Sequence, residues 1–150
     1  MKDAIATEWL GRVLRTYPSP TAAFLAEEKD PFRNPIGHTL RQGLAILVEE
    51  LLRGMDAERV RAALDSIVQL RAVEDRPAGR SLEFLFQLKP ILRAHAAAGE
   101  LELLDARIDE MALLAFDLYL QYRERTFEAR ANEARRRVFV LERRELRGVK

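Results

Sequence analysis

From Glu100 to Arg147 the chain contains no proline, no glycine and no cluster of turn-forming residues. A stretch that long without a breaker reads as a single helix. Its first half is apolar almost all round, as in Met111-Ala112-Leu113-Leu114-Ala115-Phe116, and its second half turns to arginine and glutamate around a thin apolar stripe. At ~1.5 Å of rise per residue, the roughly 30 residues from Leu118 to Arg147 reach about 45 Å. A globule of 150 residues does not cover so long an element. The expectation is a helix that starts inside the core, with Leu114 and Phe116 inward between Ile108 and Tyr119, and finishes exposed. It divides the chain into a globular core over residues 1–120 and a charged arm over 121–150.

Ahead of that helix the sequence holds five shorter helical segments and no credible strand, so the fold class is all-α with five to six helices. Ile5, Trp9, Val13 and Leu14 share one face of a first helix over about 3–17, which Pro18-Ser19-Pro20 ends. Ser19 is placed to cap a short second helix that closes near Glu28. The prolines of Asp30-Pro31-Phe32-Arg33-Asn34-Pro35 make a stiff connector, and Asn34 is placed to cap a third helix over 35–53 that Gly54 closes. Asp56 caps a fourth over 57–73. Ser81 is expected to cap a fifth over 82–98, kinked by Pro90 near Phe86, and Gly99 separates it from the last helix.

Composition narrows the functional classes. Hydrophobic residues make up 48% and charged residues 33% of the chain, which suits a folded, helix-rich protein rather than a disordered or membrane one. No apolar run approaches the roughly 18–20 residues of a membrane span, and the N-terminus has no apolar signal core, so the expected location is cytoplasmic. With no cysteine there are no disulfides, thiolate metal sites or redox thiols. The net charge of +1 hides an asymmetry: residues 1–120 carry 15 Lys/Arg against 19 Asp/Glu, and residues 121–150 carry 10 against 5. A basic arm can mean a polyanion partner. Five interleaved acids and the lack of an aromatic stacking platform favour a solvated helix instead, and nucleic acid is disfavoured.

The chemistry of an enzyme is missing. The seven glycines form no phosphate-binding loop, two histidines supply no metal-binding pair, and no serine sits in a nucleophile elbow. The expectation is a protein that is not an enzyme and has no cofactor or metal. His95, in the last turn of the fifth helix, is a weak candidate for a haem ligand, since one axial histidine suffices. A histidine at a helix C-terminus is also favoured by the dipole alone. Asp117 lies in an apolar stretch where an unpaired carboxylate is costly to bury. Arg71 and Arg123 are its candidate partners, in a polar network that a ligand could bias or in an ion pair at the rim of the core. Lys89 has the same two readings, and His38 reads as a surface or loop-packing residue.

Several motifs, taken in order, resemble a known family. They are Trp9, Arg15-Thr-Tyr-Pro18, Phe32-Arg-Asn-Pro35, Arg71-Ala-Val73, Phe86-Gln-Leu-Lys89, Phe116-Asp-Leu-Tyr119, Arg123-Glu124 and Arg130-Ala-Asn-Glu133-Ala-Arg-Arg136. Over about residues 5–140 the chain resembles the RsbRD N-terminal sensor domain found at the front of RsbT co-antagonist proteins of the bacterial stressosome. The resemblance implies a helical-bundle or globin-like signal-input domain without haem, dimeric, with an exit helix leading to a STAS output domain in multidomain relatives. The sequence given carries neither a STAS nor a kinase segment, which suggests a stand-alone module.

The leading expectation is therefore a regulatory module that forms a homodimer, reads a small ligand or a signalling partner protein, and reports through its last helix. The alternatives are an adaptor whose basic arm docks an acidic protein surface or nucleic acid, and a haem or gas sensor. Beyond Tyr122 the residues Phe127, Ala131, Ala134, Val138 and Leu141 recur at spacings of four, three, four and three, the seam of a coiled coil about two heptads long.

Overall fold

The structure is a computed structural model that describes residues 1–148. The expected arm extended to Lys150, and its last two residues lie outside the described ones. Seven α-helices and a short 3-10 turn follow one another, with no strand among the described residues: α1 Lys2–Leu14, α2 Ser19–Glu27, α3 Pro35–Arg53, α4 Ala57–Ala72, α5 Ala78–Leu82, the 3-10 turn Glu83–Leu85, α6 Leu88–His95 and α7 Ala98–Gly148. They form two compact units, Met1–Tyr119 and Leu120–Lys150.

In the first unit α3 packs against both α1 and α4, and α1 also meets α6. The expected apolar stripes face inward: Ile5, Trp9 and Val13 on α1, Leu40, Leu44, Leu47 and Leu51 on α3, and Leu64, Ile67 and Val68 on α4 are all buried. Gly43 permits the close approach of α3 to α4, because a Cβ there would come within 2.8 Å of Ile67 Cδ1.

Local capping explains why α3 and α4 start where they do. Asn34 Oδ1 accepts from Gly37 N at 2.9 Å, and its Nδ2 donates to Leu25 O and Glu28 O at 3.0 Å each. One buried amide thus begins α3 and holds the end of α2. Asp56 caps α4 through Arg59 N at 3.0 Å. Gly54 closes α3, but the left-handed residue of that turn is Met55, at φ 62°. The buried carboxylate of Glu50 offsets the strain by accepting from Asp56 N at 2.9 Å and pairing with Arg59 at 2.7 Å.

The expected boundaries fail in three places. Ser19 does not cap α2; Pro18 takes the cap position and Ser19 and Pro20 both enter the first turn. The fifth helix is three pieces rather than one kinked rod. Pro90 is the third residue of α6, where an N–H has no partner within the helix, so the break precedes the proline instead of bending around it. Ser81 lies buried inside α5 and is not a cap. Gly99 sits in the first turn of α7, and the chain breaks at Ala96, which is extended (φ −98°, ψ 153°).

The larger correction concerns α7. Its buried face is Leu104, Ile108, Met111, Ala115, Leu118 and Tyr119, while Phe116 is 52% exposed and Leu114 is only half-buried. An apolar run tells nothing of which side turns inward. Six consecutive apolar residues wrap the whole circumference at ~100° each, and the core takes one face. Arg107 Nη1 donates to Leu51 O at the end of α3 (2.6 Å), and Lys89 of α6 pairs with Asp109 at 2.9 Å. These two contacts accompany the rotation that buries Ile108 and Met111 and leaves Leu113 and Phe116 outside.

Candidate functional site

A buried polar cluster in the first unit surrounds Arg71, in the last turn of α4. Its side chain is 1% exposed, an expensive place for a guanidinium unless it is paired. Arg71 Nη1 meets Glu74 Oε2 at 3.2 Å, and the guanidinium stacks over the rings of Tyr17 (5.4 Å) and Phe84 (5.6 Å). Arg71 Nε is left without a partner. Glu74 also accepts from Tyr17 Oη at 2.5 Å and pairs with Arg76 Nε at 3.4 Å. Arg76 in turn donates to Thr16 O at 3.1 Å and lies over the Tyr17 ring. Trp9 completes the wall: its ring stacks on Phe84 and its Nε1 donates to Phe84 O at 2.7 Å. Burial, and then the bond to Glu74, push the Tyr17 hydroxyl up to about 12.

This cluster joins the C-terminal turns of α1 and α4 to the 3-10 turn. It differs from the network expected at Arg71, Asp117 and Arg123. Asp117 is exposed on α7, so it needs no buried partner, and Arg71 takes its carboxylate from three residues further along its own chain segment. Arg123 is an exposed residue of the second unit. Glu74 and Arg76 lie between the expected fourth and fifth helices, where the sequence offers no periodicity to place a side chain. The available signal was an arginine at a helix end with an acid three residues later, close to a Tyr-Pro turn.

His95 ends α6, as expected, and its Nε2 lies 3.1 Å from Glu8 Oε2 on α1. The bond from His95, reinforced by Arg12, holds the Glu8 carboxyl below its ordinary range against the opposing effect of desolvation. Lys89 also lies over the Phe86 ring, and His38 is exposed. A groove of about 540 Å³ runs between α1 and α3, floored by Leu10, Gly11 and Leu14 and rimmed by Lys29 and Arg41. No grouping of three or more metal-ligating side chains occurs among the described residues, and no helix among them is long and apolar enough to cross a membrane.

The second unit is helix alone. Phe127, Val138 and Leu141 are 74%, 54% and 57% exposed, Ala134 is exposed and Ala131 half-buried. Arg137 pairs with Glu133 at 2.6 Å along the same helix, one of the pairings expected for a solvated charged surface. The aliphatic stripe lies among these charges, with Val140, Leu141, Arg137 and Arg144 around one shallow depression.

Comparison with known proteins places the chain. No curated protein and no solved structure matches it significantly. The family described as the RsbT co-antagonist protein rsbRD N-terminal domain matches residues 3–134, most of the chain, and the chain belongs to that family.

Proposed function

We propose that this chain is a non-enzymatic signal-input module that works by self-association, with the stripe on the second unit of α7 as its seam. The observation that carries the reading is the exposure of that stripe. Phe127, Val138 and Leu141 are large apolar residues, more than half exposed, repeating at coiled-coil spacing on a helix. A contiguous apolar strip of this kind is the usual mark of an association surface. Family membership supports the signalling half of the reading, since the family name describes the N-terminal domain of an RsbT co-antagonist protein. A partner protein is then the natural recipient of the signal.

Magnitudes set the expected strength. Covering three half-exposed large side chains on each of two copies yields roughly 6–10 kcal/mol gross. Association costs at least ~4 kcal/mol in lost rigid-body freedom, and ordering the arginines adds to that. The seam alone gives a weak, concentration-dependent dimer, which contacts elsewhere on the chain would tighten.

Sedimentation equilibrium on the full chain and on the double variant Val138→Glu, Leu141→Glu tests this. The full chain should self-associate at concentrations on the order of 50 μM. The variant should stay monomeric with unchanged circular dichroism, because both side chains are exposed. A monomeric full chain at that concentration would sink the reading.

A further inference from the structure

We infer that the two seams pair parallel and in register, with a single electrostatically unfavourable layer at Arg130 and Arg135; this rests on the self-association proposed above. The argument comes from the charges that border the stripe. On the side of the seam that precedes each of its residues by a fixed heptad offset stand Arg123, Arg130, Arg137 and Arg144, an unbroken column of one sign. On the other side stand Glu128, Arg135 and Glu142. All seven are exposed and lie on continuous helix.

In a parallel coiled coil a residue of the first column meets the residue five positions later on the second column of the partner helix. Arg123 then faces Glu128, Arg137 faces Glu142, and Arg130 faces Arg135, each relation occurring twice by symmetry. Four attractive contacts stand against two repulsive ones. In an antiparallel pair like columns face each other, so every contact along the first column is arginine against arginine. The guanidinium of Arg137 already meets Glu133 through Nη2, and its other nitrogens are left to reach Glu142 across the seam. Charges of this kind decide orientation more than they decide affinity.

The unfavourable layer falls beside Ala131 and Ala134, the two small residues of the stripe. Core contact and charge are therefore both weakest at one level, between a Phe127 end and a Val138–Leu141 end. That level is where pairing should open first, and where added salt should strengthen rather than weaken it.

Because the chain has no cysteine, single cysteines give a clean readout. Phe127→Cys and Val138→Cys are made separately in the full chain and oxidised mildly, alone and mixed. Parallel in-register pairing gives disulfide-linked dimers of each variant alone and no preference for the mixed species. A mixed 127–138 product with neither homodimer shows an antiparallel pair and overturns the inference. A dimer that yields no cross-link at all places the interface off the seam and overturns it too. Sedimentation of the same samples tells these results from a monomer, which would refute self-association itself.

A charge reversal gives the second test. Arg135→Glu turns both repulsive contacts into attractive ones and should tighten dimerisation about tenfold at low salt. Arg136→Glu makes the same change of net charge on the outer surface and should not match it. Equal effects from the two would mean that net charge alone is at work, and the assigned register would be wrong.

Discussion

Removing Glu74 should destabilise this protein far more than removing the arginine it pairs with. Glu74→Ala leaves the Arg71 guanidinium 1% exposed, without its carboxylate and with Nε already unpartnered. Breaking a buried pair from one side costs about 3–5 kcal/mol. The Glu74 side chain is 20% exposed, so water reaches the vacated position and the lower end, about 3 kcal/mol, applies. Arg71→Met instead deletes the group that is expensive to bury. It loses one charge-assisted hydrogen bond and two cation–π contacts, but it keeps the aliphatic packing and gains sulfur–aromatic contact with Tyr17 and Phe84. Glu74 retains Tyr17 and Arg76. The net change should stay within about 1 kcal/mol. At roughly 2–4 °C per kcal/mol for a chain of this size, Glu74→Ala should lower Tm by about 6–12 °C and Arg71→Met by no more than about 4 °C. The double variant should recover most of the loss. Urea titrations followed by the fluorescence of Trp9, the only tryptophan and part of the same cluster, supply the free energies. If Arg71→Met costs as much as Glu74→Ala, or the two add, the guanidinium is a net stabiliser and the reasoning fails.

Three further outcomes follow from the same geometry. Tyr17 has a folded pKa of about 12, raised from an ordinary 10, so its contribution to stability is complete below pH 10 and disappears as pH rises from 10 to 12; in paired pH titrations, Tyr17→Phe should remove that part of the alkaline loss. Met111→Ala should cost about 2–5 kcal/mol in chemical denaturation because Met111 is buried, while Phe116→Ala should cost about 1 kcal/mol or less because its ring is half exposed; equal costs would mean that α7 is rotated from its described position. Gly37→Ala drives a Cβ to 2.2 Å from Asn34 Nδ2 and should lose the α3 cap at about 1–2 kcal/mol, whereas Gly79→Ala, with open space around it, should be neutral or slightly stabilising when the two are compared by thermal melting.

Periodicity and punctuation made much of the fold legible. The inward leucines of α3, the caps at Asn34 and Asp56, and the unbroken course of α7 all follow from rules local to a few residues. What escaped the sequence was orientation. The apolar circumference around Met111 to Phe116 does not by itself say which arc the core will take, and the contacts of Arg107 and Asp109 that accompany the arc taken involve α3 and α6. The Arg71 cluster escaped for a similar reason. Its carboxylate comes from the connection between the fourth and fifth expected helices, and Tyr17 and Phe84 arrive from 54 and 13 positions away. The exposed stripe from Phe127 to Leu141 was readable because a helix alone presents it.

The two polar contacts on either side of Ile108 restrict how α7 can move within the first unit. Arg107 and Asp109 point roughly 200° apart around the axis, so a rotation cannot relieve one contact without straining the other. Sliding the helix by a single residue would carry Asp105 and Asp109 to the places of Leu104 and Ile108, burying two carboxylates. A displacement of four residues, about one turn, would bring Ile108, Ala112 and Ala115 to the places of Leu104, Ile108 and Met111, but it would also drive Tyr119 into the place of Ala115 and the charged Arg123 into that of Tyr119. The place of this helix within the first unit is therefore a single notch: a shift of one residue buries carboxylates, and a shift of one turn buries an arginine.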